Sequence, residues 1–326
     1  MKWILGTVAL LAVIGVTVAI TVFVTGGNAR VPSDQPPSAD APASGIASVN
    51  DVGPIAVLTE DPTCMAQHPI FSEWLSKIRN GWENRDPTIP AAAWTPELRT
   101  QYSEVAQAMR AAADKLESLV KLTPHRVMRE LYEQWIAYAR AFADSVPDYS
   151  AKDDPLAGVT ITAADAIGNI CAAIGYGSAA ARGPLVPSLP APSQVSSVSD
   201  TNQPRRFMLN ENPVCADWFK TLKEFDADTA NWRTTDPNIP SSEWSPEQRK
   251  INEDVTPVME RLTNQLLTLG QVSGDPVLRD FAEMSSQYRN AYVQALTTYT
   301  PADKHLASAS IKLAGLVASA CEAAAS

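Results

Sequence analysis

Four cysteines, Cys64, Cys171, Cys215 and Cys321, have the type and placement for covalent chemistry in this chain. Four thiols permit three pairings, or a shared metal site, or free buried sulfhydryls. A four-thiolate metal frame needs close Cys-x-x-Cys pairs, and none is present. Histidine-based metal chemistry in a helical bundle needs Glu-x-x-His on facing helices. His68, His125 and His305 instead follow Met65, Leu122 and Ala302 at that spacing. No Gly-x-Ser-x-Gly elbow, phosphate-cradling glycine loop or His-Glu-x-x-His helix occurs. A triad assembled from distant segments leaves no local signature, and 36 acidic residues hide any paired carboxylates among solvated surface charges. The reading is a protein without catalytic, cofactor-binding or metal residues.

One stretch is written twice. Asp86-Pro-Thr-Ile-Pro-Ala-Ala-Ala-Trp94-Thr-Pro-Glu97 returns 150 positions later as Asp236-Pro-Asn-Ile-Pro-Ser-Ser-Glu-Trp244-Ser-Pro-Glu247. The same period relates Trp82 to Trp232, Arg99 to Arg249, Met109 to Met259, Tyr138 to Tyr288, Tyr149 to Tyr299 and Cys171 to Cys321. Cys64 and Cys215 correspond with a shift of one. A fixed period of this length indicates two copies of one supersecondary unit. The doubled loop has two readings. Its prolines and tryptophans form a connector plugged onto the helices, with Asp86 and Asp236 bonding nearby amides and Arg99 and Arg249 in reach of those aspartates. Alternatively Trp82, Asp86 and Trp94, with Trp232, Asp236 and Trp244, form a paired recognition surface anchored by indoles.

The elements that must position these residues are helices. Leu98, Tyr102, Val105, Met109, Ala112, Leu116 and Leu119 alternate spacings of four and three, as do Val255, Met259, Leu262, Leu266 and Leu269. Thr95-Pro96-Glu97 and Ser245-Pro246-Glu247 carry a capping hydroxyl, a first-turn proline and a carboxylate at the positive dipole end. A preceding helix holds Phe71, Trp74, Ile78 and Trp82, and its counterpart Trp218, Leu222, Phe225, Thr229 and Trp232. A third holds Val127, Leu131, Trp135, Tyr138 and Phe142, echoed by Val277, Phe281, Tyr288 and Tyr292. The fourth is alanine-rich, from about Leu156 to Ile174 and Asp303 to Ala323. Pro257 predicts a kinked or broken helix in the second copy. In an up-down-up-down bundle the start of the first helix and the end of the fourth share one end. The repeat and that layout both favour Cys64 with Cys171 and Cys215 with Cys321.

Trp3 to Val24 is an uncharged run of 22 residues, long enough for a bilayer core of ~30 Å. Lys2 ahead of it places the terminus in the cytoplasm and the bulk of the chain outside. The rival reading is a cleaved secretory signal, with small Thr25, Gly27 and Ala29 available for processing. Residues 28–60 and 176–210 are rich in Pro, Ser and Ala and read as linkers. The formal charge of −10 and pI near 4.9 argue against nucleic acid and anionic headgroups as partners. An oxidising compartment suits the cysteines.

The Ala/Val/Thr-rich anchor, the Pro/Ala/Ser tether and the paired cysteines around a helical domain together resemble mycobacterial-type actinobacterial cell-envelope proteins. The resemblance implies an envelope location and no particular activity. The sequence therefore predicts an all-α protein: residues 1–27 as cytoplasmic stub and transmembrane helix, 28–60 as linker, 61–175 and 211–326 as tandem homologous four-helix modules closed by disulfides, and 176–210 as a flexible linker. The expected function is non-enzymatic, a membrane-anchored extracytoplasmic scaffold or accessory protein binding an envelope protein partner. The alternatives are a carrier or sensor of an apolar ligand in a cavity opened at Pro257, and an envelope hydrolase.

Overall fold

Capping hydroxyls and prolines set where the two longest helices begin. A computed structural model describes residues 45–198 and 200–326, and among them all regular structure is helical. The expected membrane segment, residues 3–24, lies outside the described residues, as does the first part of the 28–60 stretch. The α-helices are α1 (Cys64–Ile78), α2 (Pro96–Leu122), α3 (Arg126–Ser145), α4 (Asp154–Gly175), α5 (Ser178–Arg182), α6 (Cys215–Asp228), α7 (Pro246–Val272), α8 (Pro276–Ala295) and α9 (Lys304–Ala325). Thr95 and Ser245 accept hydrogen bonds from the amides of Leu98 and Gln248 at 3.2 and 3.1 Å. Each such cap contributes about 1 kcal/mol.

In sequence order α1 to α4 pack as neighbours, and α6 to α9 do the same. Disulfides Cys64–Cys171 and Cys215–Cys321 tie the first helix of each set to the last. Two expected details are corrected. Trp82 is not part of α1, nor are Thr229 and Trp232 part of α6, which ends at Asp228: in the first half the chain turns at Gly81, whose φ of 92° is left-handed, and Trp82 and Trp232 each open a short 3-10 turn. A side chain at Gly81 would also press on Gln101 Nε2 at 2.9 Å. Pro257 does not break its helix, since α7 runs through it. Pro257 faces solvent, where water can serve the carbonyl its missing N–H leaves open.

The two halves belong to one compact unit. Their principal contact is α4 against α9, antiparallel and close because the facing residues are small. A β-carbon on Gly158 would lie 3.8 Å from Ser319 Cβ, and one on Gly315 would lie 3.4 Å from Thr162 Cγ2. Lys312 pairs with Asp165 at 2.6 Å, and His305 Nδ1 is bonded to Asn169 Oδ1 at 3.2 Å. Both helices are long and apolar enough to cross a membrane, yet over half of each apolar window is buried inside the protein. Here each serves as the other's core partner.

Both stretches expected to be linkers touch this body. Ile46, Ile55, Val57 and Leu58 are buried, so the later part of the first stretch is a strap on the first half. In the connector, Arg182 pairs with Asp303 at 3.1 Å, and Gln287 donates to the Pro187 carbonyl at 3.3 Å. Further on, Gln134 exchanges bonds with the backbone of Arg205 and Phe207 at 3.1 and 2.9 Å. Tyr138 donates to the Met208 carbonyl at 3.2 Å. A proline- and serine-rich composition did not reveal these bonds because they join main-chain atoms to distant side chains.

Candidate functional site

The doubled loop is folded inward in the same way twice. Trp94 Nε1 donates to the Ile89 carbonyl at 2.8 Å, and Trp244 Nε1 to that of Ile239 at 2.9 Å. Tyr149 and Tyr299 donate to the carbonyls of Pro87 and Pro237 at 2.9 and 2.7 Å. The Ala91 and Ser241 amides return bonds to the Tyr149 and Tyr299 carbonyls at 2.8 and 2.9 Å. Asp86 accepts from the Thr88 amide and hydroxyl at 2.9 and 2.6 Å, and Asp236 from the Asn238 amide and side chain at 2.8 and 3.0 Å. These are local turns. Asp86 stays ionised below the usual carboxylate range because Thr88 donates to it twice.

Each residue of the expected recognition surface can now be placed. Trp82 is 0% exposed, with the Arg85 guanidinium 3.4 Å from its ring centre. Trp94 and Trp244 are also buried, Trp94 stacked on Tyr102 at 4.0 Å. Trp232 is half-buried and donates to Tyr292 at 3.1 Å. Asp86 and Asp236 remain at the surface. Arg99 and Arg249 do not bond the aspartates; they donate to the carbonyls of Ala91 and Ser241 at 2.7 and 3.1 Å. The indoles are brought together with their own helices, so the loop offers a partner little aromatic surface. Trp94→Phe keeps one aromatic ring but removes the pyrrole part of the indole with its hydrogen bond, so a loss of about 2 kcal/mol, from the bond and from packing on Tyr102 together, is expected in chemical unfolding.

A second constellation escaped the sequence reading. α3 and α8 carry Arg129, Glu130 and Glu133 opposite Arg279, Asp280 and Glu283, the same pattern one period apart. Neighbours surround these helices on most sides, so all of these six but the half-buried Arg279 are buried. Arg126 Nε donates to Asp280 Oδ2 at 2.6 Å across the two halves. The same guanidinium donates to the carbonyls of Asp51 and Gly53 at 2.6 and 3.2 Å, and the Arg126 amide donates to Asp51 Oδ2 at 2.6 Å. Arg129 reaches Ser48 Oγ at 3.1 Å and both Glu133 oxygens at 3.1 Å. One cluster thus fastens the strap, α3 and α8. The persistence of a charged pattern through both copies, at positions where a buried helix is otherwise apolar, was the signal available in the sequence.

Burial and the Asp280 charge push the Glu130 carboxyl well above its ordinary range; Arg129 Nη2 stands 3.6 Å from it, and among the described residues neither of its oxygens has a hydrogen-bond partner. The same causes push Glu283 up to about 7. A raised carboxyl means that the folded state binds more protons than the unfolded chain. Its stabilising contribution is complete below the unfolded value of 4.5 and is lost as pH rises through about 7. The urea midpoint should therefore fall between pH 6.5 and pH 8, and Glu283→Gln should flatten that fall. Below pH 6.5 the trend is opposed by His305, which burial holds down at about 4.

A groove of about 680 Å³ runs between α6 and α7, bordered by Pro257. Most of its other lining residues are charged or polar in type, among them Asp217, Lys220, Glu224, Glu260 and Asn264. In the first half the matching helices are bridged by Lys115–Glu73 at 2.5 Å and Lys77–Glu104 at 3.4 Å. Among the described residues no group of three or more His, Cys, Asp or Glu is placed to hold a metal ion.

The strap, both halves and the connector coincide with a family match. The model of the mycobacterial ESX-1 associated protein family covers residues 46–325. This chain belongs to that family. An uncharacterised protein of Mycolicibacterium smegmatis (strain MKD8) is 54% identical over 326 residues, covering 99% of this chain and 86% of that protein. No solved structure matches. The family span starts at the buried Ile46, so it includes the strap that Arg126 and Arg129 hold.

Proposed function

We propose that this chain is a non-enzymatic accessory protein of the mycobacterial envelope, anchored by residues 3–24, whose helical body binds an ESX-1 component outside the membrane. The observation that carries this reading is the family match over 46–325, which spans the packed unit from strap to α9. Both disulfides suit an exported body, because such bonds persist in oxidising compartments. The 150-residue period and the bonds shared by the two loops support an origin by duplication of one four-helix module.

The helical surface, with the inward-folded loops contributing little, is the proposed contact. Charged and amide side chains rim the groove beside Pro257, which favours a protein partner over an apolar ligand. Cross-linking in intact mycobacterial cells, followed by capture of the full anchored chain, should recover an ESX-1 component covalently attached. Recovery of the folded, oxidised chain without any such component would overturn the proposal.

A further inference from the structure

Matching positions fill the centres of the two halves with different chemistry. On α3, Trp135 and Ala139 lie one turn apart and are fully buried, the indole meeting Trp74 edge-on at 5.2 Å. The 150-residue period puts Ser285 and Arg289 in those places on α8. An indole has been exchanged for a hydroxyl, and a methyl group for a guanidinium. Arg289 is 2% exposed. Its Nη2 donates to Ser285 Oγ at 3.2 Å, while Nη1 is buried with no hydrogen-bond partner among the described residues.

Burial pushes this guanidinium down to about 9, and no carboxylate among the described residues offsets it. Arginine does not give up its proton in proteins, so the buried charge calls for compensation from a neighbour. The Phe225 ring, 5.8 Å from the guanidinium carbon, offers only part of that.

Arg289 borders a cavity of about 10 Å³ that Tyr292, Ser310 and Met259 also line. That is room for one small sphere. The polar side chains on its wall can all donate. The Tyr292 oxygen already accepts from Trp232 Nε1 at 3.1 Å, which leaves its own hydrogen available. Ser310 contributes a second hydroxyl. We propose that this cavity holds one halide-sized anion, chloride in the envelope, bound by Arg289 with the Tyr292 and Ser310 hydroxyls as auxiliary donors. Chloride is somewhat wider than water, and the flexible Met259 thioether is the part of the wall able to yield. A water molecule there would satisfy Nη1 but leave the charge uncompensated.

The test is thermal unfolding of the full chain in detergent, with sodium chloride or bromide replaced by sodium gluconate at constant ionic strength. The midpoint should rise by about 3 °C at a tenfold excess of halide over its Kd. Arg289→Ala, which installs the first half's residue, should abolish the rise. Crystals of the wild-type chain grown in bromide should give an anomalous peak beside Nη1, a readout that survives if the variant fails to fold. Equal midpoints in chloride and gluconate, or a bromide crystal with only water in the cavity, would overturn the assignment.

Discussion

Replacing Cys64 and Cys171 together by alanine is expected to lower the thermal midpoint of the full chain by roughly 10 °C. The cross-link closes a loop with a sequence separation of 107, and its counterpart one of 106. In the chain-entropy account a loop near a hundred residues stabilises by about 4.7 kcal/mol, mostly by restricting the unfolded chain. α1 makes this bond the more important. It packs mainly on α2 and only lightly on α4, so the disulfide closes the open side of the bundle. The matching pair of Cys215 and Cys321 should show a loss of similar size. Calorimetry of both double variants checks the prediction. A shift of only a degree or two would mean that packing alone holds α1 and α6.

The second large effect is expected at Arg126. Arg126→Met leaves the Asp280 carboxylate buried without its main partner and frees the Asp51 and Gly53 carbonyls. Breaking such a buried pair costs about 3–5 kcal/mol. Adding Asp280→Leu removes the stranded charge, so the double variant should recover much of the loss in urea unfolding. The strap would stay loosened around Asp51 and Gly53 in both, since those two carbonyls depend on the guanidinium, while the Arg126 amide and Arg129 keep their bonds to Asp51 and Ser48. Proteolysis near residues 45–58 should therefore accelerate in the single and the double variant alike. That contrast separates the charge pair from the strap contact.

How much of this was legible in the sequence differs by feature. The two longest helices were readable because each has a regular apolar stripe and a Thr- or Ser-Pro-Glu start, and α2 and α7 begin where those signals lie. The disulfide pairing followed from the repeat. The strap was hidden because Ile55, Val57 and Leu58 form no periodic pattern; their burial depends on surfaces folded elsewhere. Arg126 was invisible for a related reason. It reads as a solvated charge at a helix start, and its partner lies 154 residues away. The doubled tryptophans stand out in the sequence, but spacing alone does not say whether an indole faces in or out. Hydrogen bonds from Trp94 and Trp244 to their own loops decide that they face in.

The halves form a single body through α4 and α9, and the proposed accessory role belongs to that body. A designed cross-link tests this most directly. A β-carbon at residue 158 would lie 3.8 Å from that of Ser319, a separation at which disulfides form without strain. In the exported chain carrying Gly158→Cys and Ser319→Cys, peptide mapping should find a third disulfide joining 158 to 319, with both native bonds intact. Free thiols at 158 and 319 in an otherwise fully oxidised protein would show that α4 and α9 do not meet as described.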